Sequence, residues 1–345
     1  MTEAPRLMNV MAGGRFGGAE TFFTRLAIAL HQAGQPQLVA TRGWPERAAE
    51  LKAAGIEPAY VSFRGSLDLF SRWKLGRLIR EFEPDVVLTW MNRATDFVRT
   101  RRSVHAARIG HYYNLRYYRH CDHLVCITPD LADYAIQGGF DRKQVHYIPN
   151  FFEPKPMPPV ERTAFGTPQG VPLALAVGRL HRNKAFDVLL DAISTLPDLH
   201  LWIAGEGPSR AELEAQIERL GIGDRVRLLG WRDDIPALLG AADLMVVPSR
   251  SEGFGTVMIE GWSCRKPVVA AASEGPAGLI RDGRNGLLVP VDDAQALAKA
   301  MSAVVASPDL TAELVESAWD DYQETFTRPK VVGRYMEFIE SVSRR

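Results

Sequence analysis

At 345 residues the chain is longer than one ordinary core organises, so two domains are expected. With 46% apolar and 24% charged residues it reads as a globular protein. No apolar run approaches the 18 or more residues of a membrane-spanning helix. Met1-Thr2-Glu3-Ala4-Pro5-Arg6 lacks a signal-peptide core, and the three cysteines, Cys121, Cys126 and Cys264, exclude a disulfide framework. A cytoplasmic location is the expectation. The zero net charge hides an asymmetry: residues 1–150 hold 20 Lys and Arg against 14 Asp and Glu, and the remainder holds 21 against 27.

Short β-like runs alternate with helical periodicity, which predicts a parallel α/β architecture. Strands are expected at Leu7–Met11, Gln37–Thr41, Pro58–Val61, Asp85–Thr89, Ala107–Gly110, His123–Ile127 and Gln144–Ile148, with helices at Ala19–Gln32 and Leu67–Phe82. The apolar residues of the second helix are expected to pack on the sheet. Five prolines between Pro149 and Pro159 can continue neither element and mark a linker. A second alternating set follows at Leu173–Val177, His200–Ala204, Val226–Leu229, Leu244–Val247, Pro267–Ala270 and Gly286–Val289. Helices at Ala294–Ala306, Leu310–Phe326 and Pro329–Ser343 close the chain. Two doubly wound domains result, 1–160 and 161–326, with 327–345 returning to the first. Such folds bind ligands at the carboxyl ends of their strands.

Those ends carry the chemistry. The first strand leads into Ala12-Gly13-Gly14-Arg15-Phe16-Gly17-Gly18-Ala19-Glu20, a glycine-rich turn that lets backbone approach a ligand, although the G-x-G-x-x-G spacing is absent. Strand Leu173–Val177 runs into Gly178-Arg179-Leu180-His181-Arg182-Asn183-Lys184 and a helix from Ala185. Two cations at a helix start oppose its dipole unless an anion is present, so Arg179 and Lys184 point to a diphosphate. Ala204-Gly205-Glu206-Gly207-Pro208 and Gly230-Trp231-Arg232-Asp233-Asp234 also follow strands. Trp231 and Arg232 could frame a base, or Trp231 could be packing.

The most informative stretch is Pro248-Ser249-Arg250-Ser251-Glu252-Gly253-Phe254-Gly255-Thr256-Val257-Met258-Ile259-Glu260. A strand ends in a glycine-broken loop that opens a helix at Thr256, where free N–H groups suit a phosphate. Glu252 precedes the helix and Glu260 lies one turn in, roughly 6 Å along its axis. Two carboxylates flanking an anion site suit the hydroxyls on either side of a sugar–diphosphate–ribose ligand. Arg119-His120-Cys121-Asp122-His123-Leu124-Val125-Cys126 has metal-ligand residue types but lacks paired C-x-x-C spacing and overlaps a strand, so no metal is expected there. Seven arginines and one acid, Asp96, fall within residues 93–119, interleaved with Tyr112, Tyr113, Tyr117 and Tyr118. They read either as solvated surface or as the contact for an anionic partner.

The order G-R-L-x-x-x-K, A-G-E-G-P, G-W-x-x-D, P-S-x-x-E-G-F-G-T-V-x-I-E and N-G-L-L-V-P, with the early G-G-x-x-G-G-A-E, resembles the retaining GT-B glycosyltransferases of family 4 (group 1 glycosyl transferases). The resemblance implies two Rossmann-like domains facing across a cleft, with a nucleotide sugar, UDP- or GDP-linked, held mainly by the second. It implies that Arg179 and Lys184 neutralise the diphosphate and that Glu252 faces the donor sugar. Phe254, Gly255 and Thr256 would offer backbone N–H groups, and Glu260 would accept the ribose hydroxyls. Gly14 would approach the phosphates from the other domain, with Gly205, Trp231 and Arg232 on the donor rim. His111, after an N-domain strand, would take the place of a family histidine, although its Gly-His-Tyr-Tyr-Asn context departs from the usual pattern. Asn92 and Arg93 are its rivals on the acceptor side.

The expected activity is transfer of a hexose-type unit to a hydroxyl of a glycan or glycolipid, with retention and without a metal or other cofactor. Lipopolysaccharide or other cell-surface polysaccharide synthesis is the expected setting. An anionic acceptor and peripheral contact with the inner membrane leaflet go with it, and nucleic acid does not. An epimerase or phosphorylase on the same fold is the alternative enzyme, and a non-catalytic nucleotide-sugar or membrane-binding module is the alternative outside catalysis.

Overall fold

The structure is a computed structural model that describes residues 4–65 and 68–343. It divides into two compact units, Met1–Asn150 with Arg328–Arg345, and Phe151–Thr327. The boundary falls ten residues before the expected one, at the start of the proline-rich segment.

The first unit runs β1 (Leu7–Met11), α1 (Gly18–Gln32), β2 (Gln37–Thr41), α2 (Pro45–Ala53), β3 (Ala59–Tyr60), α3 (Leu69–Phe82), β4 (Val86–Trp90), α4 (Met91–Phe97), β5 (Val104–Ile109), β6 (His123–Cys126), α5 (Pro129–Gln137) and β7 (Val145–Tyr147). Its strands pair in parallel in the order β3-β2-β1-β4-β5-β6-β7. Strands covered on both faces are mostly apolar, and β1, β4 and β5 are buried at every position, Asn9, His105 and Arg108 included. Met8, Val10 and Val87 of the sheet pack with Leu75 and Ile79 of α3 and with Phe97. Each such buried side chain is worth about 1.5–3 kcal/mol.

Helix α3 starts where Asp68 caps it, its carboxylate accepting the Ser71 N–H at 2.9 Å. The expected start at Leu67 lies outside the described residues. The expectation that its apolar residues all pack on the sheet is corrected. Ser71, Leu75 and Ile79 turn inward, whereas Leu69, Phe70 and Trp73 are 74%, 64% and 54% exposed. At about 100° per residue, Trp73 lies on the side opposite that buried stripe.

The second unit runs β8 (Leu173–Val177), α6 (Phe186–Ser194), β9 (His200–Ala204), α7 (Arg210–Leu220), β10 (Val226–Gly230), α8 (Ile235–Ala241), β11 (Leu244–Val247), α9 (Thr256–Ser263), β12 (Val268–Ala271), α10 (Glu274–Leu279), β13 (Leu287–Val289), α11 (Ala294–Ala306) and α12 (Pro308–Asp321). Its parallel order is β10-β9-β8-β11-β12-β13. Leu201, Ile203 and Val246 form a core with Leu189, Leu190, Ile193 and Met301. After α12 the chain loosens into a π turn at Tyr322–Phe326 and re-enters the first unit as α13 (Arg328–Ser343). No helix among the described residues is long and apolar enough to cross a membrane.

Each sheet reverses its strand order once, between β1 and β4 and between β8 and β11. The loops leaving the carboxyl ends of those strands are where such folds bind ligands.

Candidate functional site

In the second unit the expected donor loops are joined by backbone hydrogen bonds. Gly178 N–H donates to Ala204 O at 3.0 Å, Leu180 N–H to Glu206 O at 3.0 Å, and Gly205 N–H to Gly230 O at 2.7 Å. A Cβ on Gly205 would collide with the Gly178 carbonyl, and one on Gly207 with the Leu180 carbonyl. These two glycines therefore serve loop-to-loop contact.

The loop after β11 is clamped to the same frame. Arg250 N–H donates to Asn183 O at 2.8 Å. The Arg250 guanidinium binds both Asp187 oxygens, at 2.9 and 2.6 Å, and Asp292 at 2.5 Å. That fork puts Glu252 beside Lys184, and the two side chains form an ion pair with 24% and 16% of their surfaces exposed for Lys184 and Glu252 respectively. In the sequence Lys184 reads as a cation awaiting an anion. The structure supplies one from within, the Glu252 carboxylate. Arg179, on the same edge, is exposed and makes no side-chain bond among the described residues.

Gly255 sits in the left-handed region at φ 78° and begins α9, and a Cβ there would press within 2.7 Å of Met258 Cε. At the start of α9 the Thr256 and Val257 N–H groups have no intrahelical acceptor, whereas Met258 N–H already donates to the Gly255 carbonyl at 2.8 Å. Phe254 is buried edge-on against Phe326, centroids 6.2 Å apart, so its ring packs inward. Glu260 is half-buried on α9.

Two residues that sequence reasoning passed over complete this edge. Glu274, opening α10, accepts the Glu252 N–H at 3.1 Å and the Ser251 hydroxyl at 3.4 Å. Gly275 N–H donates to the Glu252 carbonyl at 2.7 Å, and a Cβ at Gly275 would meet Glu252 and Phe254 backbone at 2.7 Å. The signal was available in Ser273-Glu274-Gly275-Pro276 directly after β12. Trp231 is 72% exposed, so it is not packing. Arg232 is committed to Asp234 by two bonds, at 2.8 and 2.5 Å, which raise the guanidinium pKa and lower that of the carboxyl. A base contact from the Arg232 side chain would have to break them.

In the first unit the glycine-rich turn folds around its own helix. Gly14 N–H donates to Glu20 Oε1 at 2.8 Å, and a Cβ on Gly13 would lie 2.7 Å from the same oxygen. The buried Glu20 carboxylate thus fills the concavity that the sequence reserved for a ligand's phosphate.

His111 follows β5 on the exposed edge, its Nδ1 accepting the Tyr112 N–H at 2.7 Å and its ring 5.9 Å from that of Tyr113. Asn92, in the first turn of α4, accepts the Tyr118 hydroxyl, while Arg93 is exposed. Both leave the carboxyl end of β4, the strand beside β5, so His111, Asn92 and Arg93 share one sheet edge. The site residues of each unit thus gather at one edge of its own sheet.

The arginines of 93–119 do not form one surface. Arg108 lies wholly inside, 4.3 Å over Trp90 and 5.0 Å from Phe22, bonded to Asn150 and to the Tyr335 hydroxyl at 3.3 Å. Burial lowers its pKa. Arg99 is engaged by Asp96 at 3.2 Å, and Arg119 by the Gly138 carbonyl at 2.7 Å.

Metal-ligand residue types do assemble, with His105 joining His120 and Cys121 so that their ligand atoms lie within 4.8 Å of one another. His120 Nε2 is already engaged, 2.7 Å from Arg99 Nη1 and 3.1 Å from the Thr95 carbonyl oxygen. Burial, followed by His120 and Arg99, holds His105 down to about 3. A cavity of about 920 Å³ opens at the opposite edge of the second sheet beside Pro172, Asp243 and Pro267, and none of the donor-loop residues lines it.

Known proteins match this chain along nearly its whole length. Residues 16–155 match the family model described as Glycosyltransferase Family 4, and residues 159–320 the one described as Glycosyl transferases group 1. Two lipopolysaccharide core biosynthesis glycosyltransferases of Rhizobium meliloti (strain 1021) are similar. LpsD is 33% identical over 330 residues, 95% of this chain and 96% of its own. LpsE is 34% identical over 335 residues, 95% and 97%. The structure of Anabaena Alr3699/HepE in complex with UDP superposes with a TM-score of 0.85 at 22% identity, covering 97% of this chain and all of that one. At that identity the likeness is one of fold.

Proposed function

The chain belongs to the group 1 glycosyltransferases of family 4, and on that premise we infer that it moves a hexose-type sugar from a nucleoside diphosphate sugar to a hydroxyl of a glycan or glycolipid, with retention and without a metal. The observation that carries this reading is the Lys184–Glu252 ion pair beside the unengaged Arg179, on the edge where α9 begins at Gly255. A diphosphate arriving there exchanges places with a carboxylate. Lys184 turns to the β-phosphate, and the freed Glu252 faces the sugar hydroxyls.

As the glycosidic bond breaks, negative charge grows on the departing phosphate. Arg179, Lys184 and the first N–H groups of α9 are the groups to receive it. The acceptor hydroxyl attacks on the face the nucleotide leaves, through an oxocarbenium-like state, and its proton passes to the departing phosphate oxygen. No side chain is assigned as nucleophile. Glu260 takes the ribose, and His111, Asn92 and Arg93 stand on the acceptor side.

The lipopolysaccharide core relatives support a cell-surface glycan as acceptor, and the UDP-bound neighbour supports a nucleoside diphosphate donor. Ligand-induced thermal shift across UDP- and GDP-sugars identifies the donor. Transfer is then followed by proton NMR of the anomeric centre in excess EDTA. An α-linked donor should give an α-linked product at undiminished rate. Loss of activity with EDTA, restored by magnesium or manganese, rejects metal independence, and an inverted product rejects retention.

A further inference from the structure

We propose that the outer face of α3 docks the first unit on an anionic phospholipid bilayer. Among the described residues, this face has the largest grouping of solvent-exposed apolar side chains. Leu69, Phe70 and Trp73 are 74%, 64% and 54% exposed, and the Phe70 and Trp73 rings stack at 5.8 Å. Water would be better excluded from all three, so they call for a partner. The chemistry around them selects it. Arg77 and Arg80 follow Trp73 on the outward side, with Lys74 at its flank. Lys74 and Arg80 have no acidic partner among the described residues, and Arg77 pairs with the exposed Glu81 at 2.6 Å while its guanidinium lies 6.0 Å from the Trp73 ring.

Aromatic and aliphatic tips ringed by cations match the water–lipid boundary, where rings sit at headgroup depth and cations meet phosphates. The unit's charge agrees. It carries 25 Lys and Arg against 16 Asp and Glu, leaving the second unit 16 against 25. Because α3 follows β3, its first turns stand at the carboxyl edge of the sheet, the edge that carries Asn92, Arg93 and His111. A bilayer under those turns puts a lipid-linked acceptor beside them. That last consequence rests on the glycolipid reading above, whereas the docking itself does not.

The test is co-sedimentation of the full chain with vesicles of phosphatidylcholine alone or with one-third phosphatidylglycerol, at low and high salt. The expected result is binding to the anionic vesicles, largely lost in high salt. Each of Lys74→Gln, Arg77→Gln and Arg80→Gln should lower partitioning by about fivefold. Phe70→Ser with Trp73→Ser should lower it by roughly tenfold or more. All five side chains lie outside the core, so unchanged melting temperatures confirm intact folds.

Nucleotide-sugar thermal shift and transfer to a soluble acceptor, measured on the same variants, should be unchanged. If those fail while vesicle binding holds, the functional reading falls and the docking stands. Three results overturn the docking: no binding to anionic vesicles at low salt, equal binding by wild type and both sets of variants, or equal binding to neutral vesicles. Self-association abolished by the same substitutions without vesicle binding would assign the face to a second copy of the chain.

Discussion

Replacing Glu252 with Gln should tighten the binding of a bare nucleoside diphosphate while slowing transfer. Lys184 is paired with Glu252, so a diphosphate must displace that carboxylate before the ammonium can bind it. The exposures of 24% and 16% place the pair between surface and interior. A fully exposed pair is worth 0–1 kcal/mol and breaking a buried one costs 3–5, so about 1 kcal/mol is a fair value after solvent screening. Removing the competitor, and its repulsion of the incoming phosphates, should therefore lower the Kd for UDP or GDP about fivefold. Lys184→Ala removes a charge-assisted bond worth about 1.5–3 kcal/mol and should raise that Kd by roughly ten- to a hundredfold. In the double variant Glu252→Gln should give a smaller gain, because no ammonium remains to be released and only the repulsion of the phosphates is relieved. Isothermal titration of the four proteins with bare nucleotide measures all three quantities. Glu260→Gln serves as the contrast, since it should weaken bare nucleotide binding. If Glu252→Gln weakens binding as Glu260→Gln does, or leaves it unchanged, the exchange of partners at Lys184 is wrong.

Two further outcomes concern stability. Arg108→Ala should cost about 3–5 kcal/mol in urea unfolding, because it leaves a cavity against Trp90 and Phe22 and strands the Tyr335 hydroxyl and Asn150; a cost below about 1 kcal/mol would refute the structural role given to its guanidinium. Burial and the neighbouring His123 hold His146 down to about 4, where it packs 4.7 Å from the Phe338 ring of α13. Its folded pKa lies below the unfolded value near 6.5, so the unfolded chain binds more protons between them and stability falls as pH drops from about 6.5 to 4. The full shift corresponds to about 3 kcal/mol, reduced to about 2 by partial exposure. His146→Phe should flatten that part of the pH–stability curve, and an unchanged slope would count against the assignment.

Much was legible in the chain alone because it follows from local rules. Mostly apolar runs announce parallel strands covered on both faces, and glycine–polar breaks announce the turns. Five strands match their expected ranges to the residue, β1, β2, β8, β9 and β11. The order of loop motifs named the family, since those residues stand in fixed sequence at successive strand ends. The helix at Thr256 was visible because Gly255 alone among neighbouring residues adopts φ 78° without strain.

What sequence could not decide depends on groups far apart in the chain. Lys184 and Glu252 are 68 residues apart, and contacts such as the Arg250–Asp187 fork and the Arg250–Asn183 backbone bond bring their loops together. Gly205 looked like a ligand-binding glycine, yet at Gly205 and at Gly207 it is the Gly178–Leu180 backbone that leaves no room for a Cβ. Seven arginines read as one basic surface until the sheet placed Arg108 between two aromatic rings and Asn150. Periodicity likewise assigned α3 a buried face without showing that Leu69, Phe70 and Trp73 fall outside it, because burial depends on what lies opposite, and that is a property of the assembled fold.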